Sequence, residues 1–329
     1  MIRLAINGFG RIGRTLARVL QERPEIQLVA VNDLAETANL AHLLKYDTTH
    51  RLYGAAIRHE GEALYLGEQK VTVSHDSNPD GLKWQHLDLD IVVEATGKFR
   101  SRQAVAGHLK NAPKVILSAP PLDDTPTVVL GVNDHILQPE LSVISNASCT
   151  TNSAAPLVQV IHRLCGIEHA YITTVHSYTT DQQLQDGPHK DYRRGRAAAE
   201  SIVPTTTGAA KAITRIFPQL EGRIGGAGIR VPVPNGSLTD ITFTVHQTNT
   251  VRGINEAFAE ASRQGPLHGI LGYTSDPIVS RDIIGNPYSC LFDEGLTSVL
   301  GKMVKVVGWY DNEMGYAHRL ADLAQKISS

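Results

Sequence analysis

The hexapeptide Gly8-Phe9-Gly10-Arg11-Ile12-Gly13 constrains this chain more than any other stretch. It follows a short apolar run at residues 2–7 and opens a segment, residues 11–21, in which Ile12, Leu16, Val19 and Leu20 recur at helical spacing. A strand turning sharply into a helix uses glycine three times. Gly8 permits the turn, Gly10 lets backbone approach a pyrophosphate, and Gly13 lets helix and strand pack closely. The free amides and dipole of the helix then favour negative charge. A second apolar run at 26–32 stops at Asp33, about twenty positions after Gly13, the spacing of a ribose-binding acid. A carboxylate there accepts hydrogen bonds from the adenosine ribose hydroxyls and repels a 2′-phosphate. NAD is therefore the expected cofactor, rather than NADP.

Further strands are predicted at 90–94 (DIVVE), 114–118 (KVILS), 128–131 and 142–145, with helical segments between the first few. The expected fold class is α/β, with a doubly wound Rossmann domain over residues 1–148. After Cys149 the grammar changes. Longer strands at 170–176, 225–233, 237–247 and 304–310 accompany helices at 151–164 and 254–262. They predict an α+β catalytic domain with a mostly antiparallel sheet over 149–312, and a C-terminal helix within 313–329 packing back on the first domain. The polar stretch 177–200 has weak periodicity, and such a segment is expected to be functional or covered by a neighbouring subunit.

Composition narrows the partners. With 329 residues, 42% hydrophobic and 19% charged, the chain has enough apolar material for two packed domains. A net charge of -2 without a basic stripe argues against nucleic acid, although a small phosphorylated substrate needs only a few donors. The opening MIRLAINGFG lacks the pattern of a secretory leader, and no apolar run is long enough for a membrane helix. Three scattered cysteines suit neither a disulfide framework nor a CxxC metal site, so no metal is expected. A reducing, cytoplasmic setting is the expectation, and a free thiol can serve there as a reagent.

Cys149 lies in Ser145-Asn146-Ala147-Ser148-Cys149-Thr150-Thr151-Asn152, between an apolar strand and a helix predicted to begin near Thr151. A helix N-terminus is expected to lower the thiol pKa. His176 ends the next strand and is placed to take the thiol proton, then to handle the proton of a hemithioacetal hydroxyl. The plainer alternative makes Cys149 a small buried hydrophobe and His176 one of 14 histidines without a special task. Cys165 and Cys290 lack such context and read as packing.

Six segments, INGFGRIGR, ASCTTN, HSYT, HKDYRRGRAAAESIVPTTTGAAKA, RVPVPN and WYDNEMGY, resemble signatures of the glyceraldehyde-3-phosphate dehydrogenase family, in the family's order and over essentially the whole chain. The resemblance implies oxidative phosphorylation of D-glyceraldehyde 3-phosphate to 1,3-bisphosphoglycerate with reduction of NAD. Cys149 would form the hemithioacetal and thioester, with His176 as base. It implies that Thr179 and Arg230 hold the substrate phosphate, that Ser148, Thr150, Thr207 and Gly208 hold the attacking inorganic phosphate, and that Arg194 lends charge near either. For each threonine alone, capping or strand hydroxyl bonding is the plainer reading. Asn312 matches the asparagine that orients the nicotinamide carboxamide, and Arg11, Ile12 and Ser118 match further cofactor contacts. The resemblance also implies a homotetramer in which 177–200 lines a neighbour's cofactor pocket.

Four positions depart from the family pattern. Ser77 stands where many relatives carry an arginine near the adenine, so cofactor affinity is expected to weaken. Ser153 replaces a usual second cysteine, Met314 replaces a tryptophan, and Gly187 leaves room on an adenosine-facing loop. The nearest rival activity is that of erythrose-4-phosphate dehydrogenase. AHLLKYDTTH suits either enzyme, whereas Pro204-Thr205-Thr206-Thr207-Gly208 keeps the hydroxyl-rich loop expected of the glyceraldehyde enzyme. Two other classes remain open, an idle NAD-binding module and a nucleic-acid binder using Lys190, Arg193, Arg194 and Arg196.

Overall fold

The computed structural model describes residues 1–328 and divides them into two units. The first comprises Met1–Val128, His135–Ala147 and the chain from Ala317 onward; the second comprises Val129–Asp134 and Ser148–Tyr316.

The first unit begins β1 (Ile2–Asn7), α1 (Arg11–Val19), β2 (Ile26–Asn32) and α2 (Thr37–Lys45). A small hairpin, β3 (Tyr46–Asp47) and β4 (Arg51–Leu52), precedes a meander of β5 (Ile57–Glu60), β6 (Ala63–Leu66) and β7 (Gln69–Ser74). Then come β8 (Ile91–Glu94), β9 (Lys114–Leu117) and β10 (Val143–Ser145). The sheet runs β10-β9-β8-β1-β2-β7-β6-β5. Neighbours from β10 to β7 are parallel, and β6 and β5 extend the sheet antiparallel. Leu4, Ile6, Val31, Ile91, Val92 and Val93 are wholly buried, as expected of strands covered on both faces. With β2 on one side of β1 and β8 on the other, the strand order reverses at β1. A doubly wound sheet opens its ligand crevice outside the carboxyl ends at such a point.

The sheet is the expected Rossmann type, with two local differences. Only a short 3-10 turn, Ala106–Lys110, links β8 to β9. Residues 128–131 do not form the predicted strand: Val129 O accepts from Val132 N and Asn133 N (both 3.1 Å) and closes a turn, while the Asn133 side chain takes Val129 N at 2.8 Å. An apolar run bent by its own asparagine cannot extend a ladder.

The second unit opens with α3 (Cys149–Cys165), β11 (Ile167–Ser177), β12 (Val203–Thr205), α4 (Ala209–Ile216) and β13 (Ile224–Val231). It continues through β14 (Ser237–Val245), α5 (Val251–Arg263), β15 (Leu271–Thr274), β16 (Cys290–Asp293), β17 (Ser298–Leu300) and β18 (Met303–Tyr310), and α6 (Met314–Ile327) begins in it. Its sheet runs β12-β13-β11-β14-β18-β16-β15, with β17 on β18. Most neighbours are antiparallel, as expected, and β11–β13 and β15–β16 are the parallel pairs. Burial alternates strictly along β14, so one sheet face is core and the other half-exposed. The nearly all-buried helix α3 contacts β11, β14 and β18. Residues 181–200 form turns that bond to one another, as in Gly187 N to Gly195 O (2.8 Å) and Ala198 N to Gln183 O (3.0 Å). Among the described residues no helix is long and apolar enough to cross a membrane.

Trp84 anchors the first unit's core among Ala5, Val29, Leu89 and Val92, and its Nε1 donates to Ser74 Oγ at 2.9 Å. Trp84→Ala is expected to cost about 3–5 kcal/mol, because it leaves a large cavity and strands the serine. Denaturant unfolding followed on the first unit checks this; a loss under about 1 kcal/mol would contradict it.

Candidate active site

The glycine-rich turn is built as the fingerprint requires. Gly8 has φ +95°, and a Cβ there would lie 2.6 Å from Thr96 N. A Cβ on Gly13 would lie 2.2 Å from Gly8 O, so helix and turn touch through glycine alone. At Gly10 a Cβ would meet nothing within 4 Å. That open cradle is the space a pyrophosphate needs. Asp33 is half-buried at the end of β2; its Oδ2 accepts from Phe9 N (2.8 Å) and its Oδ1 from Ala35 N (3.1 Å). The acid therefore fixes the turn and still has lone pairs to offer. Beside it lies a cavity of about 230 Å³ lined by Gly8, Gly10, Asp33, Leu34, Ser77 and Phe99.

Other predicted cofactor residues take varied positions. The Arg11 guanidinium pairs with Asp47, whose carboxyl sits at about 2 because Arg11 and the amides of His50 and Thr49 outweigh burial. Side-chain recognition by Arg11 is thus committed within the fold. Ile12 is half-buried in α1, Ser77 is exposed, and Ser118 follows β9 with its amide bonded to Glu94 O at 2.9 Å. Sequence reasoning missed the polar network beneath the turn. Asn7 Nδ2 donates to Glu94 Oε2 (2.5 Å), Asn32 Nδ2 to Asn7 Oδ1 (2.7 Å), and Thr96 N to Glu94 Oε1 (2.8 Å). Buried asparagines ending apolar strands were the available signal.

In the second unit, Cys149 is the first residue of α3, two residues earlier than predicted. Ser148 caps the helix, its Oγ accepting from Thr151 N at 3.1 Å. Cys149 Sγ lies 3.6 Å from His176 Nε2. His176 Nδ1 lies 2.7 Å from Ser177 O, and Arg230 Nη1 lies 2.9 Å from that same oxygen and 2.8 Å from Nδ1. Ser177 O can only accept and Arg230 Nη1 can only donate, so the two neighbours of Nδ1 call for opposite tautomers; the tautomer with its proton on Nδ1 turns a bare Nε2 toward sulfur. Burial, then the Arg230 charge, depress the imidazole pKa to about 3. His176 is therefore neutral at physiological pH.

The thiol departs from expectation. Burial pushes Cys149 up, and Arg230 and the Thr150 hydroxyl and amide pull it down only in part. The net shift is upward rather than downward as predicted, because desolvation of the anion outweighs the donors at the helix terminus.

Thr179 Oγ1 is 3.5 Å from Arg230 Nη1, so the fold brings that predicted pair together. The Thr150 hydroxyl meets Tyr310 OH at 3.0 Å. Thr207 Oγ1 accepts from Ala209 N (3.1 Å) at the start of α4, and Gly208 caps that helix with no Cβ to obstruct its amides. Arg194 is not a free cation: Asp181 pairs with it, and Asp191 lies 3.4 Å from its Nε. Asn312 is buried, and its Oδ1 accepts from Ser177 Oγ at 2.8 Å. Ser177 and Tyr310 were missed as site residues, although both lie inside or beside segments already singled out.

A doubly wound dinucleotide unit and a unit bearing a Cys–His pair, in one chain, define an NAD-dependent oxidoreductase. Residues 2–102 match the family described as "Glyceraldehyde 3-phosphate dehydrogenase, NAD binding domain", and residues 148–312 match "Glyceraldehyde 3-phosphate dehydrogenase, C-terminal domain". The chain belongs to the glyceraldehyde-3-phosphate dehydrogenase family. It is 50% identical over 332 residues to the glyceraldehyde-3-phosphate dehydrogenase of Kitasatospora aureofaciens, covering 100% of both chains. Its likeness to the enzyme of Geobacillus stearothermophilus is 48% over 331 residues, covering 100% of this chain and 98% of that one. NAD is the cofactor, and the fingerprint turn fits it.

Two outcomes are expected. Gly10→Ala should keep the wild-type melting temperature, since its methyl meets no protein atom, and should weaken NAD binding about tenfold if the fingerprint turn cradles the pyrophosphate; calorimetric titration that found unchanged affinity would contradict this. Between pH 6.5 and about 3 the unfolded chain binds a proton that folded His176 refuses, so stability present above 6.5 is lost as pH falls. His176→Gln should reduce that slope by up to one proton, about 1.4 kcal/mol per pH unit. Urea midpoints measured across the window test it.

Proposed function

We propose that this chain oxidises D-glyceraldehyde 3-phosphate in the presence of inorganic phosphate to 1,3-bisphosphoglycerate, through covalent intermediates on Cys149. The observation carrying the proposal is the 3.6 Å approach of Cys149 Sγ to a buried, neutral imidazole nitrogen. Thiol and imidazole rest as a neutral pair, so proton transfer to Nε2 accompanies attack of sulfur on the aldehyde carbon. His176 returns that proton to the alkoxide, giving a hemithioacetal. It then removes the hydroxyl proton as the carbon–hydrogen bond breaks, leaving a thioester. Bound NAD supplies the hydride acceptor. Phosphate oxygen attacks the thioester, the carbon–sulfur bond breaks, and Cys149 is regenerated with an acyl phosphate released. The α3 N-terminal amides and the imidazole stabilise the developing oxyanion.

Arg230 and Thr179 are assigned to the substrate phosphate, since a guanidinium beside a hydroxyl matches a dianion's acceptors. Ser148, Thr150, Thr207 and Gly208, at or near helix N-termini, are assigned to inorganic phosphate. Arg194 serves either phosphate only after release from Asp181. Gly8, Gly10, Arg11, Ile12, Gly13, Asp33, Ser77, Ser118 and Asn312 are assigned to NAD, with Arg11 and Ile12 acting through backbone amides. Residues 1–148 form the NAD-binding domain, with the C-terminal helix of 313–329 packed back on it, and residues 149–312 form the catalytic domain in this reading.

Self-association as a homotetramer would cover Leu184, Tyr192 and Ile202, which are 78%, 90% and 70% exposed. The basic cluster at 190–196 is offset internally, Arg194 by Asp181 and Arg196 by Asp186 (3.0 Å), which disfavours nucleic acid as a partner. Three free thiols suit a reducing cytoplasm.

Cys149→Ser should retain fold and NAD affinity and lose at least about 10³-fold in turnover, because a hydroxyl is a far weaker nucleophile here. Wild-type NADH production should be much faster with glyceraldehyde 3-phosphate plus phosphate than with erythrose 4-phosphate. The reverse ranking would move the assignment to erythrose-4-phosphate dehydrogenase.

A further inference from the structure

Asn312 ends the segment after β18, and its amide is oriented from one side. Oδ1 accepts from Ser177 Oγ (2.8 Å), Ser237 Oγ (2.9 Å) and Gly236 N (3.2 Å). Hydroxyls can serve as donors or acceptors, but a backbone N–H only donates. Gly236 N therefore decides which end of the amide is oxygen. Gly236 itself is held: its φ is +89°, and a Cβ would lie 2.3 Å from Ser280 O. The Ser237 hydroxyl also accepts from Ser177 N at 3.1 Å, which leaves its proton for Asn312. Nδ2 bonds none of the described residues, although Asn312 is only 6% exposed.

We infer that Ser177 and Ser237 are positioning residues that lock Asn312 as a hydrogen-bond donor only, so that this position reads an acceptor oxygen on the nicotinamide end of NAD. The inference rests on the assignment of Asn312 to the nicotinamide. The amide cannot turn over to accept from the carboxamide nitrogen without setting Nδ2 against Gly236 N, and it would lose the two serine hydroxyl protons now given to Oδ1. Ser177 has two roles at once: its carbonyl holds His176 Nδ1 while its hydroxyl holds Asn312. The base and the cofactor-facing amide thus share one residue as their reference.

Binding, without turnover, tests this. NAD, ADP-ribose and nicotinic acid adenine dinucleotide are titrated calorimetrically into the wild type, Ser237→Ala, the double variant Ser177→Ala/Ser237→Ala, and Asn312→Asp. The preference for NAD over ADP-ribose should fall about tenfold in the double variant and less in Ser237→Ala, while ADP-ribose affinity stays unchanged. A donor-only amide should accept the acid analogue's carboxylate about as well as the carboxamide, and Asn312→Asp should reject that analogue. If wild type binds NAD and ADP-ribose equally, the nicotinamide assignment of Asn312 fails. If wild type discriminates and the serine variants keep the full preference, the positioning inference alone is overturned. Ser177→Thr, which keeps the hydroxyl, should restore the preference in place of Ser177→Ala; if it does not, loss of packing rather than of the hydrogen bond explains the effect.

Discussion

The site depends on one carbonyl. Ser177 O lies 2.7 Å from His176 Nδ1 and 2.9 Å from Arg230 Nη1, and the parallel register of β11 with β13 sets His176 opposite Arg230. Strand pairing, rather than any flexible reach of side chains, therefore brings base and guanidinium together. A one-residue slip of either strand would put the two side chains on opposite sheet faces. Placing a cation beside a buried imidazole has two effects from one charge. It disfavours a second positive charge on His176, and it favours the anion on Cys149. Proton transfer from sulfur to nitrogen is thus helped at one end and resisted at the other. Arg230 tunes the pair rather than driving it fully either way.

The first unit solves a different problem, that of bringing backbone close to an anion. Gly13 against Gly8 O and Gly8 against Thr96 N leave no room for even a methyl, whereas Gly10 faces open space. Beneath this turn, Asn7, Asn32 and Glu94 exchange hydrogen bonds across three neighbouring strands. Such a satisfied network costs little when complete and resists rearrangement, because each member that moves strands another. The Asp33 carboxylate joins the scheme by holding Phe9 N, so the acid and the glycine turn are tied together.

What the sequence revealed followed from local causes. Glycine spacing, strand-length apolar runs and the Cys149 and His176 contexts are short-range signals, and the corresponding elements appear within a few residues of their predicted bounds. The β5–β7 meander was not legible. Its edge strand β5 (IRHE) is mostly exposed and polar, and its pairing comes from turns rather than an apolar pattern. The apolar run at 128–131 misled because Asn133 bends it into a turn, a side-chain effect that periodicity does not record. The family resemblance placed Arg194 near a phosphate, and no local pattern showed that Asp181, thirteen positions earlier, pairs with it. The thiol pKa was misjudged for a similar reason. The helix terminus is visible in sequence, whereas the desolvation opposing it belongs to tertiary packing.

Several hydroxyls assigned to phosphate already have structural tasks. Ser148 Oγ accepts from Thr151 N and meets Thr151 Oγ1 at 2.8 Å, Thr207 Oγ1 accepts from Ala209 N, and Thr150 Oγ1 meets Tyr310 OH. The capping and ligand readings need not compete. A capping oxygen uses a lone pair, and its proton stays free to rotate toward an anion arriving at the helix end. The same logic separates Ser148 from Arg194. Turning a hydroxyl proton costs little, whereas freeing a guanidinium from two carboxylates costs an ion pair that the phosphate must replace. In the proposed assignment, phosphate recognition rests first on helix termini and hydroxyls, and Arg194 is the costlier donor to recruit.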